Sequence, residues 1–346
     1  MSERCLIIGG AGFIGTNLAS HYLKMGKSIT IFDNLSRLGA INNVKWLKKC
    51  YHNRISIVKG DIRIDQRKLF EDVEKADIVF HLAAQVAVTT SVIKPREDFE
   101  TNALGTFNVL EAIRCSRNKP ILIYASTNKV YGKMDDLKVI ETNGRYRYSD
   151  LRFGVCEKRP LDFHSPYGCS KGAGDQYVRD YARIYGLRTI VFRQSCIYGR
   201  YQFGIEDQGW VAWFAIAALL NKPISIYGDG KQVRDILYID DLIEAFNLGI
   251  ENIETTTGQV YNIGGGPENT LSVLELLRLL EKLCGKKLNY SFSDWRPGDQ
   301  LVYVSDVRKA KSDFGWLPRT TVIEGVKKLM LWIGENQEII SETILR

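Results

Sequence analysis

Short apolar runs separated by amphipathic stretches make up the first half of the chain. Cys5–Ile8 is apolar and leads directly into Gly9, Gly10 and Gly12, and from Thr16 to Met25 apolar residues recur at helical spacing until Gly26. That spacing predicts a strand, a glycine turn and a helix. Further strands are predicted over Ser28–Phe32, Ile55–Lys59, Ile78–Leu82, Ile121–Ala125 and Leu187–Phe192, with helical stretches between them. Apolar strands alternating with helices are buried on both faces, so the pattern implies an α/β fold with a doubly wound parallel sheet and right-handed crossovers. Beyond residue 195 the rhythm changes to aromatic-rich Tyr198–Phe214, a turn at Gly228–Gly230, the segment Tyr261–Gly266 and a helix over Ser272–Leu283. We divide the chain into a dinucleotide-type domain over 1–195, with a return segment near 230–260, and a smaller α/β lobe over 196–229 and 261–346. No low-complexity linker separates them, so the lobe is expected to grow from loops at the carboxyl ends of the strands, where open α/β sheets bind ligands. The polar, basic segment Lys133–Lys158 carries the least pattern and reads as a long surface insertion near the site.

Composition narrows the class. A chain of 346 residues with 45% hydrophobic and 25% charged residues is an ordinary globular sequence, which sets aside disordered, collagen-like and repeat-array readings. The longest apolar stretch, Trp210–Leu220, falls short of the roughly 20 residues a membrane span needs, and the strand starting at Cys5 leaves no place for a signal peptide. No membrane partner is expected, and the expected location is cytoplasmic. The seven cysteines (5, 50, 115, 156, 169, 196, 284) are odd in number and never form a CxxC pair, which argues for a reducing compartment and against a disulfide framework or a metal site. Lysine and arginine number 47 against 40 acidic residues. The resulting +7 leaves three kinds of acidic partner open: nucleic acid, a membrane surface or a small phosphorylated ligand.

The glycine turn speaks for the last. Gly9, Gly12 and Gly15 stand at a GxxGxxG spacing between strand and helix, so the first permits a tight turn, the second lets backbone approach a pyrophosphate, and the third allows close helix packing. The helix amino terminus then offers free N–H groups and a positive dipole end. Glycines alone would also suit an ordinary flexible turn, but Asp33 follows at about the 20-residue distance where a carboxylate accepts both ribose hydroxyls. The whole is a Rossmann-type pattern. Asp33 would repel a 2′-phosphate and so favours NAD over NADP, while Arg37 keeps NADP open. Asp61 is placed to accept from an adenine amino group or, equally, to be a solvated loop carboxylate. Leu82, Ala83 and Ala84 are small enough for a ribose to pass close to backbone, and tight packing explains them nearly as well.

Tyr167 and Lys171 are four residues apart and therefore share one face of a predicted helix. An ammonium near a phenol favours the phenolate. Bringing a tyrosine from a pKa of about 10 to near 7 takes roughly 4 kcal/mol, a demand that a lysine and a cationic cofactor ring can share in a water-poor cleft. Tyr167 is thus the candidate general base. Ser126 and Thr127, at the end of the fifth strand, place a hydroxyl where it can donate to the reacting oxygen.

GGAGFIG at Gly9–Gly15, Asp33, HLAAQ at His81–Gln85, STNKVYG at Ser126–Gly132 and the Tyr167/Lys171 pair together resemble the extended short-chain dehydrogenase/reductase family, in its nucleotide-sugar epimerase and dehydratase branch. GDGKQVRDILYIDD at Gly228–Asp241, YNIGGG at Tyr261–Gly266 and RPGD at Arg296–Asp299 extend the resemblance over almost the whole chain. It implies an enzyme that binds NAD, with cofactor contacts from Gly9, Gly12, Phe13, Ile14, Gly15, Asp33, Asn34, Ser36, Arg37, Asp61, Ile62, Leu82, Ala83, Ala84, Gln85, Asn102, Ser126, Tyr167, Lys171 and Gln194. Thr127, Tyr167 and Lys171 would be catalytic. Longer runs, LDFHSPYGCSKGAGDQY and DQGWVAWF, resemble the members that epimerise C2 of a CDP-linked 3,6-dideoxyhexose, and imply that substrate class and a homo-oligomer, dimer or tetramer. Family members that eliminate water carry an Asp-Glu pair after the catalytic threonine, where this chain has Asn128 and Lys129. The resemblance therefore points to oxidation and re-reduction at one carbon.

For the substrate, the resemblance implicates Arg234 and Arg296 on the diphosphate, although each alone reads as a solvated arginine. Gln208, Trp210 and Tyr201 would frame the base, and Trp210 fits a core helix stripe as well. His164 touches substrate or caps its helix. Asn128 follows the catalytic threonine, and Arg193 and Gln194 end the sixth strand as pocket residues. Two rivals remain: a UDP-sugar 4-epimerase or decarboxylase of the same family, and a non-catalytic nucleotide-sensing or RNA-binding protein on this scaffold. The second is disfavoured because tyrosine and lysine are both present and no basic run with interleaved aromatics extends beyond Arg145–Arg152, so no nucleic-acid partner is expected.

Overall fold

A computed structural model describes residues 3–296 and 299–344. Pro297 and Gly298 of the RPGD motif lie outside the described residues. Seven parallel strands form the main sheet: β1 (Arg4–Ile8), β2 (Ser28–Asp33), β3 (Ile55–Lys59), β4 (Ile78–His81), β5 (Ile121–Thr127), β8 (Thr189–Gln194) and β12 (Gln259–Ile263). Their order across the sheet is β12-β8-β5-β4-β1-β2-β3. Alternate side chains feed two cores. Ile7, Ile31, Phe80, Ile123 and Phe192 pack under the helices Phe13–Lys24 and Ile239–Glu251, while Leu6, Phe32, Val79, Leu122 and Val191 pack under Gly105–Cys115 and Ser165–Tyr185. Burial on both faces explains why these strands read as continuous apolar runs. The sixth strand sits two residues later than its expected span, since Leu187 is still in the turn after the helix that ends at Tyr185.

The chain leaves the sheet after β8 and returns through the helix Ile239–Glu251 and β12. In between, β11 (Val233–Tyr238) is the centre of a small sheet with β9 (Cys196–Tyr198), β13 (Thr270–Ser272) and β15 (Val302–Tyr303). A parallel pair, β10 (Ile224–Tyr227) and β14 (Tyr290–Ser293), lies beside it. Trp210–Leu219 is a helix packed against Val273–Cys284 and Val322–Glu335, which accounts for its nearly all-apolar sequence. Among the described residues no helix is long and apolar enough to cross a membrane.

Lys133–Lys158 is more ordered than its composition suggests. It holds a hairpin, β6 (Val139–Thr142) and β7 (Arg145–Tyr148), joined by Asn143 and Gly144, both at positive φ. Asn-Gly in a two-residue loop matches the twist of an antiparallel pair and is the sequence signal that marks it. The hairpin ties into the second half of the chain: Arg145 donates to Thr270 Oγ1 (2.8 Å), Tyr146 donates through its phenol to Asp229 (2.6 Å), and Tyr148 donates to the Val302 carbonyl (2.8 Å).

Candidate active site

The first turn of the glycine motif is fixed by packing. Gly9 has φ +82°, and a Cβ there would lie 2.5 Å from the Ala83 nitrogen, so the β1 and β4 loops meet backbone to backbone. At Gly15 a Cβ would meet Gly10 Cα at 2.5 Å. Gly12 differs: only the Gly9 carbonyl would approach its Cβ, at 3.3 Å, and it opens the helix Phe13–Lys24, whose start has no side-chain cap. Uncapped N–H groups at a helix start are the kind that can receive a phosphate. Asp33, at the end of β2, accepts from the backbone N–H of Ala11 (3.0 Å) and of Leu35 (2.7 Å). Burial pushes its carboxyl up while those two bonds oppose the shift, and each oxygen keeps a lone pair for a ribose hydroxyl. The site thus has the shape and donor set for a dinucleotide across the switch point between β1 and β4.

Other expected cofactor residues form a second ring. Asn34 accepts from the Ser36 amide (3.0 Å) and hydroxyl (2.7 Å) and donates to Asp61 (3.1 Å). Asp61 is also gripped by Arg63, whose hydrogen bonds hold its carboxyl down at about 2. It is a paired carboxylate and not a solvated one. The Ile62 side chain belongs to the core beneath Gly105. Asn102 is buried and braces the loop after β4, donating to the Gln85 carbonyl (2.9 Å) and accepting from its amide N–H (2.9 Å). Leu82, Ala83 and Ala84 begin that loop, with the Ala83 backbone against Gly9. Arg37 reaches across the cleft and donates to the side-chain oxygen of Gln208.

At the carboxyl ends of β5 and β8 a cavity of about 440 Å³ is lined by Phe13, Ile14, Ser126, Thr127, Asn128, Lys129, Tyr167 and Gln194, and at its far end by Gln208, Trp210, Tyr227, Arg234 and Arg296. Gln194 Nε2 is buried without a hydrogen-bond partner, an orphan donor beside the expected nicotinamide position. Tyr167 and Lys171 lie one turn apart on the helix Ser165–Tyr185. Thr127 and Tyr167 line the same cavity, where the Thr127 hydroxyl donates to Asn128 Oδ1 (3.4 Å) and accepts from the Lys129 amide (3.2 Å). Lys171 donates to the Ala125 carbonyl (2.6 Å) and stacks over Tyr124, not on the phenol. Burial lowers its ammonium to about 7, opposed by Asp175 and Asp98.

The expected lowering of Tyr167 is not supplied by the chain. Burial pushes the phenol up to about 12, and Thr127 and Arg37 oppose this only in part. A phenol buried at 8% exposure loses more from desolvating its anion than its neighbours return.

Three expected substrate residues lie elsewhere. Arg193 is only 2% exposed and makes two 2.8 Å bonds to Asp175, plus one to the Tyr131 hydroxyl (3.0 Å). It sits on the opposite strand face to Gln194, away from the cavity. Tyr201 stacks on Trp46 at 4.3 Å and edges Trp332, and His164 is exposed and bonded to Asp162 (2.9 Å). Trp210 lines the cavity and donates to the Cys196 sulfur (3.5 Å). Arg234 pairs with Asp299 (2.5 Å), and Arg296 pairs with Asp207 (3.0 Å) while covering the Tyr227 ring at 3.9 Å. Asp175, the buried partner of Arg193 and Ser126, is a residue of the site's support that sequence reasoning missed. Its signal is a third position on the Tyr167/Lys171 face, another four residues on.

The sequence profile of the GDP-mannose 4,6-dehydratase family matches residues 6–329. CDP-paratose 2-epimerase from Salmonella typhi is 46% identical over 336 residues, covering 95% of this chain and 98% of its own. UDP-glucose 4-epimerase from Thermotoga maritima, solved with UDP-glucose, superposes with a TM-score of 0.81 at 29% identity, covering 97% of this chain and all of its own. UDP-glucuronic acid 4-epimerase from Bacillus cereus, solved with UDP-glucuronic acid and NAD, gives a TM-score of 0.83 at 27% identity over 96% of this chain and 99% of its own. With its matched span, its parallel sheet and the Tyr167/Lys171 pair at the end of the cleft, the chain belongs to the GDP-mannose 4,6-dehydratase family of extended short-chain dehydrogenase/reductases.

Proposed function

We propose that the protein is an NAD-dependent nucleotide-sugar epimerase that inverts C2 of a CDP-linked 3,6-dideoxyhexose, CDP-paratose to CDP-tyvelose, through a transient keto sugar. The 46% identity to the Salmonella typhi enzyme over nearly the whole of both chains carries this reading. Asn128 and Lys129 support it, since neither is the acid-base pair that dehydration needs. The uncapped helix at Gly12, the Asp33 carboxylate and the orphan Gln194 amide would hold NAD. Bound NAD supplies a hydride acceptor and a positive ring charge. Tyr167 takes the hydroxyl proton, Thr127 holds the same oxygen, and Lys171 keeps positive charge beneath the phenol. With such a charge beside it, Tyr167 would be drawn back down from the value to which burial pushes it. The return of hydride to the opposite face requires the sugar to turn while its diphosphate stays held, so the grip belongs on Arg234 and Arg296 and not on the hexose.

A panel of CDP-, UDP- and dTDP-sugars followed by NMR of the product stereocentres tests the assignment. CDP-paratose should be inverted at C2 alone, and in deuterated water C2 should stay unlabelled because hydride returns internally. Solvent deuterium at C2 would mean enolisation, and turnover of UDP-glucose in place of CDP-paratose would support the 4-epimerase reading.

We also propose a homo-oligomer in a reducing, cytoplasmic compartment. All seven cysteines are unpaired, and Phe107, Tyr177, Ile184 and Tyr185 expose apolar surface on neighbouring helices. Sedimentation at micromolar concentration should show a dimer or tetramer; a monomer there removes the oligomer from the proposal.

A further inference from the structure

The cavity has three cations, and two have carboxylates of their own. Arg234 is paired with Asp299 and Arg296 with Asp207, while Glu206, the third acid on the wall, accepts from the Tyr227 hydroxyl (3.1 Å). Lys129 is the third cation. Its backbone N–H donates to Thr127 Oγ1 (3.2 Å), but among the described residues its ammonium makes no hydrogen bond and no ion pair. Burial and the neighbouring Arg234 depress that ammonium to about 8, with Asp299 opposing and Cys196 the remaining group that faces it. The half-buried ammonium stands beside a like charge, and the nearest carboxylate, Asp299, is already taken by Arg234, so it lacks a counter-ion of its own. The position is also specific: Lys129 stands two residues beyond Thr127, where the reacting carbon is held, and faces Arg234, where the diphosphate is received. Between a reacting sugar carbon and a nucleotide lies the sugar-side phosphate.

We propose that Lys129 is a diphosphate-binding residue whose counter-ion is the sugar-side phosphate of the nucleotide sugar. The proposal rests on the nucleotide-sugar reading of the cavity, but not on which carbon is inverted. Lys129 completes the grip that the turning sugar requires, and it does so from the catalytic end of the cavity. A cation here also suits a site that has no use for the carboxylate of the dehydrating relatives.

CMP and CDP separate this role from others, because CDP alone carries the second phosphate. Their dissociation constants are to be measured by calorimetry on the NAD-loaded protein. In Lys129→Met the CDP affinity should fall about 10- to 50-fold, the range for removing one charge-assisted hydrogen bond from a poorly solvated site, while CMP binding changes little. The CDP/CMP ratio should collapse. Lys129→Arg should retain most of that ratio, and thermal melting of both variants reports whether the fold is kept. A ratio unchanged in folded Lys129→Met overturns the proposal, as does a loss of kcat with CDP binding intact, which would place the ammonium on the sugar oxygen. If the unaltered protein binds UDP and UMP in preference to CDP and CMP, the cytidine assignment fails instead, and the uridine pair carries the same test.

Discussion

Tyr167→Phe should abolish epimerisation almost completely, lowering kcat by about a thousandfold, the middle of the range for losing a positioned proton acceptor. The ring is buried and packed, so the variant keeps its shape, its melting temperature and its affinity for CDP. Only the phenol oxygen, which shares the cavity with Thr127, is removed. The sign of the pH effect follows from the same geometry. The chain alone holds the phenol near 12, so at neutral pH the proton acceptor exists only to the extent that added positive charge pulls the phenol down. Activity should therefore rise with pH across the neutral range in the unaltered protein, and the residual activity of Tyr167→Phe should lose that rise. Epimerisation within tenfold of normal would remove Tyr167 from the mechanism.

Asp175→Ala should be the most destabilising single change at the site. Asp175 and Arg193 are both essentially inaccessible and face each other through two 2.8 Å bonds, with the Ser126 hydroxyl adding a third at 2.7 Å. Removing the carboxylate leaves a guanidinium buried against Tyr131 with no anion, a loss of about 3–5 kcal/mol by comparison with other broken buried pairs. Urea unfolding reads it directly. Replacing both partners, Asp175→Leu with Arg193→Met, should restore much of the loss, because the penalty belongs to the lone charge. A loss under about 1 kcal/mol in Asp175→Ala would mean that water reaches Arg193.

Much of this arrangement was legible in residue order. GGAGFIG announced its turn because only glycine tolerates the positive φ at residue 9 and the close backbone approach of Ala83. Ile55–Lys59 is a strand over the span its apolar run predicts. Tyr167 and Lys171 share a face because helical geometry alone places them so. What stayed hidden depends on partners distant in sequence. Arg193 and Gln194 are adjacent at a strand end, and alternation says that they face opposite ways, but not which of them meets the cavity. That choice follows from Asp175, which turns Arg193 toward the helix side. The environment of Tyr167 was equally out of reach, since the desolvation that raises its pKa comes from the closed walls around it. The hairpin at Val139–Tyr148 is a different case: Asn143-Gly144 was readable, and the polar composition around it drew attention away.

The helix Ser165–Tyr185 carries Tyr167, Ser170, Lys171 and Asp175 along one stretch of its 21 residues. Three of them are anchored separately: Ser170 to Asn102, Lys171 to Ala125 and Asp175 to Arg193. A rod of about 30 Å pinned at three successive points cannot slide or rotate by one register without breaking all three. Mechanically, the acid-base groups are a fixed rail. The motion that an epimerase needs must then be carried by the hexose, which sets a clear target for inhibitors: a sugar mimic locked halfway through its turn should gain affinity because the wall it presses against does not yield.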